Sequence, residues 1–573
     1  MEIKIFKIVK NHWIVILLAV IFGILTVWPF FYFQAVLGEQ YRGVLNQVID
    51  DELFYMARIR DVMDGHPTLG NAYLFEHNNQ LPQQLFLPEL LLAQPLKLLN
   101  LDIVQGRILY NFILPVLVFV LTYFAFYLIQ PSRLWANIFT ALLFFGFYFF
   151  KFIRPLIPQF VFIFWLSQFI LIWLLIKNHP NRWILPLNIL NFGLLFYIYP
   201  FYWTFYLAFL AVLSFLYFFR DKSLSKKFLK ILIGGLVIGS FYFYFTFLAA
   251  QLPEYQETMT RLQLVFSRSP SEIKSVVLSL TVLFLVGVLY RLKKVKIDNR
   301  ILFFIAGIVS ILIVTNQNVI TGQKFEFGHY RMPAVFFLIF SVYYIASQIK
   351  LLNFKLKFLS ASILIIISIY GIYGYAQRIF KVSDQSIYTQ KYAAIFDWLN
   401  GNTSRDSVVY ANEEISELIP VYTSNNVFYS RYANLFIMSD GEILERFILN
   451  NFFEEFDEKF IIENERSIWG VRYIDRYGDA LQANKWRRLF GFKLKDETRL
   501  PESEIERVLI KAGEIQTGQP DKSLKKYRIN YLIWDRTKNP NWEPGKFNLE
   551  PIYNFENIYI FRSRDGSMND TNG

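Results

Sequence analysis

The stretch WIVILLAVIFGILTVWPFFYFQ, residues 13–34, is the first of many long apolar runs in this chain of 573 residues. It carries no charged side chain, and its length suits a helix that crosses a bilayer, which needs about 20 apolar residues. The whole chain is 54% hydrophobic and 19% aromatic. This composition predicts a polytopic α-helical membrane protein and excludes an ordinary soluble enzyme.

Apolar runs of about 17–23 residues predict about eleven spans. The weakest division is at Pro200, whose aromatic neighbours are typical of a turn at the membrane interface. The predicted spans cover residues 13–34, 108–129, 134–151, 157–176, 183–199, 201–219, 229–250, 275–291, 301–316, 332–349 and 356–376.

The distribution of basic residues predicts the orientation of the chain. Its formal net charge is +12, and Lys and Arg concentrate in short loops such as 220–230 and 291–300. Such a bias marks cytoplasmic loops, so we expect a cytoplasmic N-terminus and no nucleic-acid partner. The loop 35–107 and the tail 377–573 then lie together on the extracytoplasmic side. We expect an integral multi-pass protein, in a bacterial plasma membrane.

The tail differs from the rest of the chain. After the membrane domain (1–376), residues 377–573 contain shorter apolar runs, alternating segments such as 531–534 and 557–561, and helical patterns such as KYAAIFDWLN. These patterns predict an extracytoplasmic α/β domain large enough for its own core. The absence of cysteine excludes disulfides, thiolate metal sites and cysteine nucleophiles.

The loop after the first span opens with an acidic motif, in IDDELFYMARIRDVMDGHPTLGNAYLFEH, residues 49–77. An amphipathic pattern predicts a surface helix that begins near Asp51 and ends near Gly65. Helical spacing places Asp51, Tyr55 and Arg58 on roughly one face. The motif has two interpretations. Carboxylates beside hydrocarbon suggest proton transfer or cation binding, whereas Asp50 as an N-cap with acids in the first turn would only stabilise the helix.

Three further features of the predicted exported side favour chemistry. Histidines occur there at His66, His77 and His329. Cations lie close to span ends, where they suit either lipid headgroups or a shared anionic ligand. The short turn NQNVITGQKFEFGHYR, residues 316–331, is rich in polar groups that either bond to one another or face a wet cavity.

These residues resemble the GT-C superfamily of membrane glycosyltransferases, which includes protein O-mannosyltransferases and the aminoarabinose transferase of lipid A. The similar features are Asp51-Glu52 after the first span, the aromatic-rich helix that follows, and the later His66-Pro67 step. The resemblance covers about 110 residues by motif and about 376 by architecture, and the tail carries no family motif. Because a WWD-type motif is missing, we do not expect transfer to asparagine.

The resemblance implies transfer of a sugar from a polyprenyl-phosphate donor to a glycan, lipid or protein acceptor on the exported face, by inverting displacement. The catalytic candidates are Asp51, Asp50 and Glu52, and either aspartate could be the base. Some members use a divalent cation such as Mg²⁺ or Mn²⁺, for which Asp50, Glu52 and His66 are candidates. The candidates for binding the donor phosphate are Arg58, Lys151, Arg154, Lys324 and Arg331. The candidates for the acceptor or cavity lining are Tyr55, His66, Glu76, Asn316, Gln317, Thr321, His329 and Tyr330.

Two other classes compete with the transferase. A transporter also has many spans, but the predicted spans contain almost no internal charge and no inverted repeat. A non-catalytic scaffold for cell-envelope glycans would display the tail, and it would tolerate loss of the acidic motif. Replacement of Asp51 therefore distinguishes the enzyme from the scaffold.

Overall fold

The computed structural model describes residues 10–46, 51–82, 86–149, 152, 154–262, 265–270, 273–293, 295–348, 354–518, 524–547 and 549–563. Asp50 and Lys151, two of the predicted site residues, lie outside this part of the chain.

Helices dominate the part of the chain before residue 380, and each predicted span falls on one of them. Seven of the described helices are long and apolar enough to cross a membrane. These are the helices of an integral membrane protein, while the count of eleven spans and their orientation stay predictions. The helices are α1 (Trp13–Leu37), α2 (Glu52–Asp64), α3 (Leu87–Leu99), α4 (Ile103–Ile129), α5 (Arg133–Ala141), α6 (Val161–Ile176), α7 (Ile184–Ile198), α8 (Pro200–Phe218), α9 (Lys222–Ala250), α10 (Glu254–Arg261), α11 (Ile273–Arg291), α12 (Asn299–Asn316), α13 (Asn318–Thr321), α14 (Arg331–Gln348) and α15 (Phe354–Ile379).

The chain turns at Pro200, as the sequence predicts. Helix α7 ends at Ile198, Tyr199 is extended, and Pro200 is the first residue of α8. Proline suits the first helical position because it needs no partner for a backbone N–H group. Two π-helical stretches, Leu142–Tyr148 and Pro155–Phe160, lie on either side of the turn between α5 and α6.

Glycines allow close contact between α7 and α9. A Cβ atom added at Gly235 would lie 2.1 Å from a ring carbon of Phe192, and one at Gly239 would lie 2.7 Å from the ring of Phe196. Helix pairs in membranes associate mainly through such close van der Waals packing. The two glycines therefore accommodate the aromatic rings of the neighbouring helix.

The connecting segments gather at two ends of the bundle. At one end, Arg220 donates a hydrogen bond to the carbonyl of Ile297 (2.9 Å), and Tyr343 donates to the carbonyl of Gln130 (2.6 Å). At the other end, Lys324 forms an ion pair with Asp479 of the tail (3.0 Å). The alternation of loops that the charge pattern indicates stays a prediction.

The tail forms a domain of helices around a mixed sheet. The strand order is β4-β3-β5-β7-β6, in which β4, β3 and β5 are parallel and β5, β7 and β6 are antiparallel. A separate short ladder joins β1 and β2 near the membrane helices. The strands are β1 (Val265–Phe266), β2 (Gln323–Lys324), β3 (Val408–Tyr410), β4 (Asn426–Val427), β5 (Tyr531–Asp535), β6 (Leu549–Phe555) and β7 (Ile558–Ser563). The helices are α16 (Asp384–Tyr388), α17 (Tyr392–Asn402), α18 (Glu413–Tyr422), α19 (Asp440–Asn450), α20 (Glu458–Glu463), α21 (Glu465–Trp469), α22 (Arg472–Leu489) and α23 (Glu502–Thr517).

The loop 35–107 and the C-terminal domain pack against each other. The amide of Val427 donates to the carbonyl of Tyr73 (2.8 Å), and the amide of Leu45 donates to the hydroxyl of Tyr422 (3.0 Å). Helix α18 also contacts α2. The two hydrophilic parts therefore pack together, and both contact the surroundings of α2.

A buried arginine joins the membrane domain to the C-terminal domain. The side chain of Arg261, at the end of α10, is fully buried. It forms an ion pair with Asp440 and donates to the carbonyls of Met438 (2.6 Å) and Asn434 (3.3 Å). Because the guanidinium satisfies backbone carbonyls as well as a carboxylate, this contact fixes the relative position of the two domains.

We expect Arg261→Ala to destabilise the protein by about 3 kcal/mol, because it removes a buried donor from one oxygen of Asp440 and from two carbonyls, while Arg472 keeps the other oxygen of Asp440 paired. The midpoint of thermal unfolding in detergent measures this effect. Arg268→Ala is the control, since Arg268 is exposed and bonds only to the carbonyls of Val319 and Ile320. Equal midpoints for the two variants would contradict the role given to Arg261.

Candidate functional site

Helix α2 carries the acidic motif and has the limits that the sequence predicts. It spans Glu52–Asp64, and Gly65 ends it in the left-handed conformation at φ 117°. Asp51, rather than Asp50, occupies the N-cap position, and its side chain makes no capping hydrogen bond. The capping interpretation of the motif therefore does not describe Asp51, whose carboxylate has a different partner.

That partner is Arg154, at the start of the π-helical segment before α6. The two side chains form an ion pair. Asp51 is 45% exposed and Arg154 is 18% exposed. The guanidinium also lies over the ring of Tyr55, 5.4 Å from its centroid. The structure thus brings together one predicted base, one predicted phosphate ligand and one predicted cavity residue.

Arg154 has hydrogen-bonding capacity that the protein does not use. Its Nε atom is buried and has no hydrogen-bond partner among the described residues. Buried donors normally have partners, so an unused one beside a cleft marks a place where an anion can bind. The Nε atom of Arg58 is also buried without a hydrogen-bond partner, but the ion pair of Arg58 is almost fully buried, whereas Arg154 pairs with the partly exposed Asp51.

Glu52 and Arg58 have structural partners inside the protein. Glu52 forms an ion pair with Arg107 of α4, and both side chains are 2% exposed. Arg58 forms an ion pair with Glu89 of α3 at 2.6 Å, with exposures of 4% and 2%. The sequence interpretation of Glu52 as a catalytic acid and of Arg58 as a phosphate ligand is therefore corrected: each holds α2 against a neighbouring helix.

A narrow cleft separates α2 from α4 and the 154–156 segment. Its walls include Glu52, Tyr55, Arg107, Tyr110 and Arg154. Its volume is about 10 Å³, roughly that of one water molecule. In this conformation the cleft is closed, and a sugar phosphate would enter only after α2 and the 154–156 segment move apart.

A chain of polar side chains connects this cleft to the turn between α12 and α14. His329 bonds to the hydroxyl of Tyr199 and, through Nε2, to Glu326 at 2.6 Å. Its ring stacks on Phe201 at 4.1 Å. Tyr199 is in turn close enough to Arg154 to couple with it electrostatically. Tyr199 therefore links His329 to the surroundings of Arg154, although the two are far apart in the sequence.

Other residues of the same turn bond to groups within or next to the turn. Thr321 donates to the side chain of Gln317 (2.6 Å), which donates to the carbonyl of Gln323 (2.6 Å). Asn316 donates to the carbonyl of Leu312 (3.1 Å). These bonds form the turn itself, so Asn316, Gln317 and Thr321 act locally. Of the two alternatives that the sequence leaves open, these bonds favour polar groups that satisfy one another, and the cavity interpretation of the three residues stays a prediction.

The remaining residues of the turn have different surroundings. Lys324 is held by Asp479 of the C-terminal domain (3.0 Å). Arg331 is exposed and lies over the ring of Phe327 at 5.4 Å. Tyr330 is buried and shares a hydrogen bond with Thr204 (2.8 Å). Lys324 is therefore paired with a carboxylate, whereas the side chain of Arg331 is exposed to solvent.

His66 and Glu76 lie at the other end of the loop, against the C-terminal domain. His66 contacts Asp61 (2.8 Å) and Asp406 (3.6 Å). Glu76 pairs with Arg446 (3.0 Å). Thirteen residues of α2 separate Asp51 from Gly65, a rise of about 20 Å. Glu52 and His66 therefore cannot bind one metal ion, and in the described residues no group of three His, Asp or Glu side chains could hold one.

Sequence reasoning missed the buried partners of the acidic helix. Arg107 and Glu89 anchor α2, and Gln159 donates to Asn111 (2.6 Å) deeper in the bundle. Arg107 offered a signal, because a charged residue directly before an apolar run is costly unless it has a partner. Glu89 sits in an apolar helix, and nothing in its local pattern indicated Arg58 as its partner.

No protein-family model matches the chain, and no curated protein matches it either.

Replacing each of the two neighbouring acids by its amide is expected to change the stability of the protein by very different amounts. Glu52→Gln removes one partner of a buried ion pair and should destabilise the protein by about 3–5 kcal/mol. Asp51→Asn affects a largely exposed carboxylate and should change stability by less than about 1 kcal/mol. Thermal unfolding of both variants in detergent measures the difference. If Asp51→Asn lost more stability than Glu52→Gln, the assignment of Glu52 as the structural acid would be contradicted.

The contact of His66 with two acids should make stability depend on pH. The carboxylates of Asp406 and Asp61 raise the pKa of His66 to about 10. Because the folded pKa exceeds the unfolded value of 6.5, the stabilisation is complete below pH 6.5 and is lost as pH rises through about 10. At pH 6 the free energy of unfolding of the wild type should exceed that of His66→Gln by on the order of 2 kcal/mol. This difference should disappear near pH 10.

Thermal unfolding midpoints across this range provide the measurement for His66. His179→Gln is the matched control, because His179 is exposed and bonds only to a nearby amide. A gap for His66→Gln that stays constant from pH 6 to pH 10 would show that the histidine does not carry the charge.

Proposed function

We propose that this protein transfers a sugar from a polyprenyl-phosphate donor to an acceptor hydroxyl or amine at the end of the bundle where α2 lies. The observation that supports the proposal is the Asp51–Arg154 pair, in which an accessible carboxylate adjoins a buried guanidinium with an unused donor. A base and a phosphate ligand are the two groups that such a transfer needs at one place.

The pair also suggests how substrate binding would prepare the site. A donor phosphate would compete with Asp51 for Arg154, and its binding would release the carboxylate. Asp51 is already 45% exposed, so an acceptor can reach it once it is released. Binding of the donor and activation of the base are therefore one event.

The reaction is a single displacement. Asp51 takes the proton of the acceptor while the acceptor oxygen or nitrogen forms a bond to the anomeric carbon. The bond from that carbon to the phosphate oxygen breaks, and polyprenyl phosphate leaves with the electron pair. Arg154 stabilises the negative charge on the departing phosphate. Attack opposite the leaving group inverts the configuration.

His329 is a candidate to support this arrangement. Through Tyr199 it borders Arg154, and Glu326 orients its ring. Tyr55 covers the guanidinium from the side of α2, and burial raises the pKa of its hydroxyl to about 12. A neutral phenol at this place can donate a hydrogen bond to a phosphate oxygen without competing as a base.

An assay with the purified full chain and a panel of radiolabelled polyprenyl-phosphate sugars tests the proposal, in the presence and absence of EDTA. Asp51→Asn should lower transfer about 10²–10⁴-fold, the usual contribution of a general base. Arg154→Lys should mainly weaken donor binding, because lysine lacks the bidentate fork. Asp64→Asn, at the far end of the same helix, is the matched control.

If Asp51→Asn transferred the sugar at the same rate as the wild type, Asp51 would not be the base. Movement of the lipid-linked sugar across vesicles, without any transfer, would instead indicate a transporter. A scaffold would tolerate both substitutions. Sensitivity to EDTA would add a divalent cation to the mechanism.

A further inference from the structure

A polar pocket in the C-terminal domain contains neither Asp51 nor Arg154. This polar pocket is bounded by α18, the 431–435 turn and the segment 462–467, with Arg499 at its edge. Its volume is about 370 Å³, within the range of about 300–1,000 Å³ that is typical of small-ligand sites. Unlike the cleft beside α2, it is open to a ligand in this conformation.

One carboxylate in the polar pocket lacks a donor. Glu465 is 3% exposed, and its Oε2 atom pairs with Arg499 at 2.6 Å. Its Oε1 atom is buried, and within the described part of the chain nothing donates a hydrogen bond to it. Because buried polar atoms normally have partners, this oxygen is a place for an O–H or N–H group of a ligand.

The other charges of the pocket compensate each other. Arg431 donates to Glu417 at 2.5 Å, and Glu413 accepts from the hydroxyl of Ser467 at 3.0 Å. The lining contains four glutamates and three arginines, so its formal charge is close to neutral. Such a lining offers both donors and acceptors but does not select strongly for an anion or a cation.

An apolar side chain completes the rim. Ile462 is 45% exposed at the mouth of the pocket. An uncharged polyol with hydroxyl groups and C–H faces matches this combination of paired charges, one unused acceptor and one apolar contact. Peptides with a net charge match it less well.

We propose that the polar pocket binds an uncharged saccharide unit, one hydroxyl of which donates to Glu465 Oε1. Arg499 would donate to a neighbouring hydroxyl at the mouth. Helix α18 forms one wall of the pocket and also contacts α2. The saccharide held there would be part of a glycan acceptor, because the pocket and the acidic helix are joined through α18; that role rests on the proposed function, whereas binding of the saccharide does not.

Saturation-transfer NMR with the full chain in nanodiscs tests the binding. The probes are methyl α-mannoside, methyl β-galactoside, N-acetylglucosamine and maltose, with galacturonate and glucosamine as charged comparisons. At least one uncharged probe should bind, and Ile462→Trp should weaken it at least tenfold by filling the mouth. Because Ile462 is exposed, this variant should fold normally.

Glu465→Gln tests the specific contact, and its expected effect is also a loss of at least tenfold. Glu458→Gln, an exposed change in the preceding helix, is the matched control and should leave binding unchanged. No binding of any uncharged probe, preferential binding of a charged probe, or full binding by Ile462→Trp would overturn the proposal. Saccharide binding that survives in Asp51→Asn, with or without transfer by the wild type, separates this result from the proposed function.

Discussion

The placement of α2 depends on two ion pairs buried at the edge of the membrane bundle. Glu52 with Arg107 and Arg58 with Glu89 tie one short helix to α4 and α3. Burying a charge is unfavourable unless its partner is fixed, so each pair permits one arrangement of the helices and penalises others. The same two pairs leave Asp51, one residue earlier, directed away from them toward Arg154.

This arrangement separates structural from chemical roles within a run of adjacent acids. Glu52 is buried in its pair with Arg107, while Asp51 is partly exposed in its pair with Arg154. In the structure the cleft is closed and the guanidinium of Arg154 is paired with Asp51. Donor binding must therefore open a space and displace a carboxylate, which are physical requirements that the proposed transfer has to meet.

The architecture was largely predictable because the bilayer imposes a strong pattern on the sequence. The lengths of the apolar runs predicted where the helices lie, and Pro200 with its aromatic neighbours predicted a turn. The limits of α2 followed from amphipathic spacing and Gly65. These features are local, so a single sequence contains them.

The site was predictable only in part, because its contacts join distant segments. The sequence suggested Asp51 and Arg154 separately, and the fold brings them together. It could not show that Arg58 pairs with Glu89, or that His66 and Glu76 lie against Asp406 and Arg446 of the C-terminal domain. Which side chains pair across the chain depends on tertiary packing. The type of a side chain does not predict which distant residue it will contact.

Binding of a short polyprenyl phosphate, without any sugar, tests the central claim most directly. Titration of farnesyl phosphate into the full chain in nanodiscs should show saturable binding that Arg154→Gln weakens at least tenfold. Asp51→Asn should strengthen binding, because the phosphate no longer competes with a carboxylate. Equal affinity in all three proteins would contradict the account, since Arg154 would then not be the phosphate ligand and its pairing with Asp51 would have no part in function.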